Sequence, residues 1–84
     1  MSDTPKSFQP NDAVVITLSK AEALVLFEWL SRKDSRDALS FEHVAEEATV
    51  WRLLGQLEKM LVEPLVPEYE EIVELARKAV TDTR

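Results

Sequence analysis

His43 is the only histidine of the chain, and it stands in a run of carboxylates: Glu42 precedes it, and Glu46 and Glu47 follow three and four residues later. On a helix that spacing brings an imidazole and a carboxylate to one face. Such a pair could ligate a divalent metal or exchange protons. A metal site needs three or more ligands from fixed positions, and the paired Glu-x-x-His motifs of di-iron bundles are absent from this sequence. The simplest reading leaves His43 solvated.

Nucleophilic chemistry has little to draw on. Ser7, Ser19, Ser31, Ser35 and Ser40 fall in expected tail, cap or loop positions, and His43 is the one base of the usual kind. Gly55 is the single glycine, so no glycine-rich phosphate loop can be built. Its mid-helix place suggests a close packing point or a mild helix defect. The acidic residues Glu63, Glu68, Glu70, Glu71 and Glu74 have no basic residue among them. Carboxylates act as acid and base when their surroundings drive the pKa values apart, but these belong to a turn and the wet face of a helix. They suit a solvated surface or a docking site for a basic protein.

Composition narrows the field further. Ten basic against sixteen acidic residues leave a net charge of −6, which repels a phosphate backbone. The chain contains no cysteine, so neither a disulfide framework nor a thiolate cluster is available. No cofactor is implied. Met1 to Asp12 is polar, carries Pro5 and Pro10, and lacks the pattern of a secretory leader. The uninterrupted apolar run Ala23 to Phe27 is far short of the roughly 20 residues of a membrane span. These features point to a cytoplasmic protein.

The elements that position these residues follow from patterning. We expect a disordered tail over 1–12 and a single helical domain over 13–82. The fold class is mainly α: one short N-terminal strand, then three helices, in a compact domain dimerising through the strand and the first helix. Val14, Ile16 and Leu18 would take one strand face, with Ala13, Val15 and Thr17 on the other. Ser19 and Glu22 form a capping box that opens a helix over about 20–34. Its stretch 23–30 is apolar on nearly every side, and such a helix must be covered on several faces.

Arg32 to Asp37 reads as a charged loop. Ser40 can cap a second helix over 41 to about 62, with Leu39 and Val44 as a hydrophobic staple. The apolar face of this helix switches sides near Thr49. Either the helix breaks there, or one straight helix meets different neighbours along its length. Pro64 and Pro67 bracket a turn, and a third helix over about 68–81 carries Tyr69, Ile72, Val73, Leu75, Ala76, Ala79 and Val80 as its stripe.

A lone strand has two unpaired edges. Antiparallel pairing about a two-fold axis with a second copy would satisfy the inner ones; the alternative is an extended arm lying on the helices. The strand residues concerned are Val14, Val15, Ile16, Thr17 and Leu18. Trp29 and Trp51 are the expected interface anchors, joined by Val25, by Leu24 beside the polar sector of the first helix, and by Glu70, Glu71 and Glu74.

The order of strand and two helices resembles the ribbon-helix-helix family of repressors and antitoxins. That family places polar or basic strand residues in the major groove. Here the strand is apolar except for Thr17 and has no Arg or Lys, and the turn between the helices lacks glycine. The likeness stops at element order, which disfavours DNA binding. The segments Glu22-Ala-Leu-Val-Leu-Phe-Glu-Trp-Leu30, Trp51-Arg-Leu-Leu-Gly-Gln-Leu-Glu-Lys59 and Leu61-Val-Glu-Pro-Leu-Val-Pro-Glu-Tyr69 resemble short uncharacterised bacterial helical proteins, a resemblance that implies no activity.

Function is thereby expected through protein–protein contact, without catalysis, in the manner of an antitoxin or immunity-type inhibitor. A homodimer is the first expected partner and a basic protein the second. The alternatives are a dimeric DNA-associated regulator and a metal-dependent enzyme built on His43.

Overall fold

Ser19 starts the first helix as its sequence requires. Its Oγ accepts from the Glu22 backbone N–H at 3.0 Å, and the Glu22 carboxylate accepts from the Ser19 N–H at 2.8 Å. In the computed structural model, which describes residues 6–82, helix α1 runs Lys20–Ser35. The expected loop at Arg32 to Ser35 is therefore helical, closing the last turn with Arg32 and Lys33 near the negative end of the dipole. Asp37 then takes a φ of 52°, a left-handed conformation that Asp tolerates better than most residues. The Ala38 N–H reaches back to the Lys33 carbonyl at 2.8 Å and satisfies an orphan acceptor.

Helix α2 spans Val44–Met60, and His43, not Ser40, is its N-cap. Nδ1 of His43 accepts from the Ala45 N–H at 2.9 Å. Glu46 Oε1 accepts from the backbone of Glu42 at 2.7 Å and of His43 at 3.3 Å. The reason is the position of Glu46: three residues after His43 it completes a reciprocal box, whereas three residues after Ser40 stands His43 itself. The helix does not break at Thr49. That side chain donates to the Ala45 carbonyl at 2.7 Å inside a continuous helix. Only the second-half face, with Val50, Leu53, Leu54 and Leu57, reaches the core. Val44 and Trp51 stay exposed. Gly55 is not a close packing point either, since a Cβ there would meet nothing within 4 Å.

Leu61 leaves the helix in extended conformation, and a short 3-10 turn, Glu63–Leu65, carries Pro64 in its opening positions. Lys20 Nζ lies 3.1 Å from Glu63 Oε2, tying the start of α1 to this turn. The Glu63 carboxyl is held below the usual carboxylate range by its own backbone N–H and by the Lys20 ammonium. Helix α3, Tyr69–Asp82, has Glu70 and Glu71 in its first turn, where they complement the dipole.

The layering explains the apolar α1. It packs most extensively on α3 and also on α2, while α2 and α3 have little direct contact. Leu24, Leu30, Leu57, Leu61 and Ala76 form the buried centre, flanked by Ala21, Ala23, Leu26 and Phe27 of α1. An inner helix of three needs apolar residues on both flanks. Leu24, expected at a partner surface, is 3% exposed and belongs to this core. The correction is simple: the polar sector that it borders is narrow because α1 has a neighbour on each side.

No β-strand forms among the described residues. Ala13 to Leu18 belongs to no helix or strand and is exposed, and among the described residues no backbone hydrogen bond reaches it. The expected strand is an arm within this chain, because a strand needs a ladder partner and none is supplied by the helices. Of the expected tail, residues 1–5 lie outside the described residues, and 6–12 are exposed with a turn from Gln9 to Asp12. The chain is elongated, 52 × 28 × 24 Å, with a radius of gyration of 16.0 Å against about 12 Å for a compact domain of this length. No helix among the described residues is long and apolar enough to cross a membrane.

Candidate interaction surfaces

Three surfaces gather the residues singled out by sequence. The largest apolar one begins at the arm. Ile16 and Leu18 descend along α1 to Ala23 and face Leu53, Leu57, Met60 and Leu61 of the α2 side, around an open groove of about 290 Å³. Ser19, Lys20 and Gln56 supply its only polar lining. Val14 is 89% exposed, Val15 86% and Ile16 72%. Apolar β-branched side chains left this open lose the stabilisation that burial supplies, about 1.5–3 kcal/mol each. Contiguous apolar exposure of this kind marks interaction sites. The α2 and Met60 side of the groove was missing from the sequence reading, although the spacing of Leu53, Leu57 and Met60 was the available signal.

The second surface joins α1 to the end of α3. Trp29, 42% exposed, lies with Val25, Leu26, Glu22 and Val80 around a shallow depression. Val25 and Trp29 are thus brought together as expected of neighbours on one helix side. Trp51 is not with them; it stands exposed on the outer side of α2.

The third surface is polar. Glu28, Tyr69, Glu70, Val73, Glu74 and Arg77 line an open cleft between α1 and α3. Glu70 and Glu74 belong to it and Glu71 does not line it. Arg77 forms an ion pair with Glu74, and Arg32 lies 3.7 Å from Glu28. Tyr69 Oη donates to Glu28 Oε1 at 3.0 Å, a pair that the sequence reading missed. Its signal was available: Glu28 is the one carboxylate on the middle turns of an otherwise apolar helix, and such a group needs a donor.

Burial, followed by the hydrogen bond to and charge of Glu28, pushes the Tyr69 phenol up to about 12. A phenol whose folded value lies above its unfolded value of about 10 favours the folded state fully below that lower pH. The contribution is lost as pH rises from about 10 through about 12. Tyr69→Phe should therefore flatten the alkaline limb of the stability curve. Thermal melts of both proteins across that window provide the check, and parallel slopes would contradict the pairing. Tyr69 is the only tyrosine, so its phenolate absorbance in the native protein gives an independent titration.

Chemically, the cleft can bind a cation or a hydrogen-bonding side chain, and its open carboxylates show no buried acid–base pair. No buried side-chain polar atom lacks a hydrogen bond among the described residues. No group of three or more His, Asp or Glu side chains able to hold a metal occurs among them. His43 serves α2 as its cap. Comparison with known proteins found no matching family model, no matching curated protein and no matching solved structure.

Proposed function

We propose that this is a cytoplasmic, non-enzymatic protein that acts through protein–protein contact, as a homodimer joined through the arm and α1, in the manner of an antitoxin or immunity-type inhibitor of a basic partner. The observation that carries the reading is the arm: three successive β-branched residues, Val14, Val15 and Ile16, stand in solvent, and Ile16 borders an apolar groove. An isolated chain gains nothing from that arrangement, whereas association removes the exposed area from water.

The acidic face supports the second half of the reading. Glu70 and Glu71 are exposed at the start of α3, and the net charge of −6 adds a long-range attraction for a basic protein. Surface charge of this kind governs encounter rate more than final affinity. Affinity-tagged protein incubated in native lysate at low salt should retain a basic partner in stoichiometric amount. Glu70→Gln, Glu71→Gln and Glu74→Gln together should cut the retained amount several-fold, and raised salt should do the same. Recovery of the tagged chain alone, at every salt concentration, overturns the inhibitor reading.

A further inference from the structure

Ile16 and Leu18 line the groove, so the strand face that carries every second residue from Val14 to Leu18 is the one turned toward α1 and α2. Val14 shares that face. Yet it is the most exposed of the three, at 89%, because the arm has already run past its own groove.

A two-fold axis acting on antiparallel arms pairs residue i with a residue whose number makes a constant sum. When that sum is odd, the axis falls between residues and sets the groove face of one copy beside the outer face of the other. An even sum keeps the two groove faces together. Among even sums, only the axis through Ile16 pairs the whole of residues 14–18 with the whole of the same segment. The geometry points to a dimer whose two arms pair antiparallel about Ile16, so that Val14 of each copy lies opposite the partner's Leu18 and fills the partner's groove beside Ala23 and Met60. The inference rests on the protein-contact reading above and specifies the first occupant of that surface.

Charge agrees with this register. Two residues beyond each end of the ladder, Asp12 comes opposite the partner's Lys20, at the N-terminus of the partner's α1. A carboxylate is favoured there by the helix dipole, and it shares with Glu63 the ammonium that already pairs with that residue. Neighbouring even registers, centred on residue 15 or 17, put Asp12 opposite Leu18 or beyond the start of the helix. Area agrees too. Val14, Ile16, Leu18 and Met60 of two copies expose on the order of 1,000 Å², the least expected of a biological interface, before any α1 area is counted.

The chain lacks cysteine, so single cysteines report the register without background. Under mild oxidation Ile16→Cys should form a covalent dimer, since its two copies face each other across the axis within disulfide reach. Val14→Cys alone should not, being four residues from its symmetry mate, but Val14→Cys mixed with Leu18→Cys should yield the cross-linked heterodimer. Sedimentation of the unmodified chain at about 100 μM should give the dimer mass. Ile16→Lys, which opposes two like charges at the axis, should weaken the dimer by about 100-fold or more while leaving the helical circular dichroism intact, because the arm is outside the core. A monomer at that concentration overturns the inference, as does self-linking of Val14→Cys without that of Ile16→Cys. A monomer that still captures a basic partner from lysate refutes only the dimer and leaves the contact reading standing.

Discussion

Leu24→Ala is expected to lower the melting temperature by about 12–24 °C, taking a cavity cost of about 3 kcal/mol from the observed range of about 2–5 for buried leucine. Leu24 sits in the middle helix of three, 3% exposed, in contact with a core that also holds Leu30, Leu57, Leu61 and Ala76. Truncation there opens a void that neither flank can fill without moving the other. A domain of this length has a total stability of about 4–13 kcal/mol, so a large share is removed. Were Leu24 a surface anchor, the change would stay within about 0.5 kcal/mol and appear in binding instead. Thermal circular dichroism at fixed protein concentration separates the two outcomes.

Val73→Asp should be still more damaging near neutral pH, by about 3–5 kcal/mol, and its damage should depend on pH. Val73 is 4% exposed on α3 and borders the cleft that holds Glu28, Glu70 and Glu74. A carboxylate placed there loses hydration and meets three like charges, with Arg77 already paired to Glu74. Both effects raise its folded pKa above the unfolded value of about 3.9. A raised carboxyl pKa means that the folded state holds the proton more tightly, so stability falls as pH rises from that unfolded value through the folded one. The deficit should therefore be smallest in acid and largest above neutrality. Val73→Thr, which inserts a neutral polar group of similar shape, should cost less and show no such dependence. Urea denaturation of both variants at pH 5 and pH 8 makes the comparison; equal deficits at the two pH values would mean that the position is not shielded from water.

How much of this architecture could be read from the chain depends on where each signal resides. The capping box at Ser19 and Glu22 and the apolar stripe of α3 are local signals, decided within a few residues by backbone donors and helical period. The box is present; the stripe buries Val73 and Ala76 but leaves Leu75 67% exposed, and α2 ends at Met60, ahead of the expected stop at Pro64, because Glu63 and Pro64 enter a 3-10 turn of their own. The apolar circumference of α1 was also informative, and its meaning was partly intramolecular: α2 and α3 take one flank each. That arrangement is why Leu24 was misplaced. Helical periodicity ranks the faces of one helix but does not say how many neighbours surround it.

Two local choices went to a competing residue. Ser40 is a better cap in isolation than His43, yet Glu46 closes the box on His43 and delays the helix by three positions. At Thr49 the change of face reflects a helix that leaves the core along its first half, with no break in its backbone. The candidate surfaces were legible to the same degree. Trp29 and Val25 meet because they lie one turn apart, while Trp51 is separated from them by tertiary geometry. The Tyr69–Glu28 pair spans 41 residues and leaves only the trace of an isolated carboxylate on an apolar helix.

The placement of α2 has a consequence for the life of the folded molecule. Because it leans on α1 and barely on α3, its amides can exchange with solvent in an opening event that leaves the packed α1–α3 pair standing. The groove wall formed by Leu53, Leu57 and Met60 would come away in that event. Among the helices, α2 is the one a protease opens first, and a bound companion lengthens its survival by keeping that door shut.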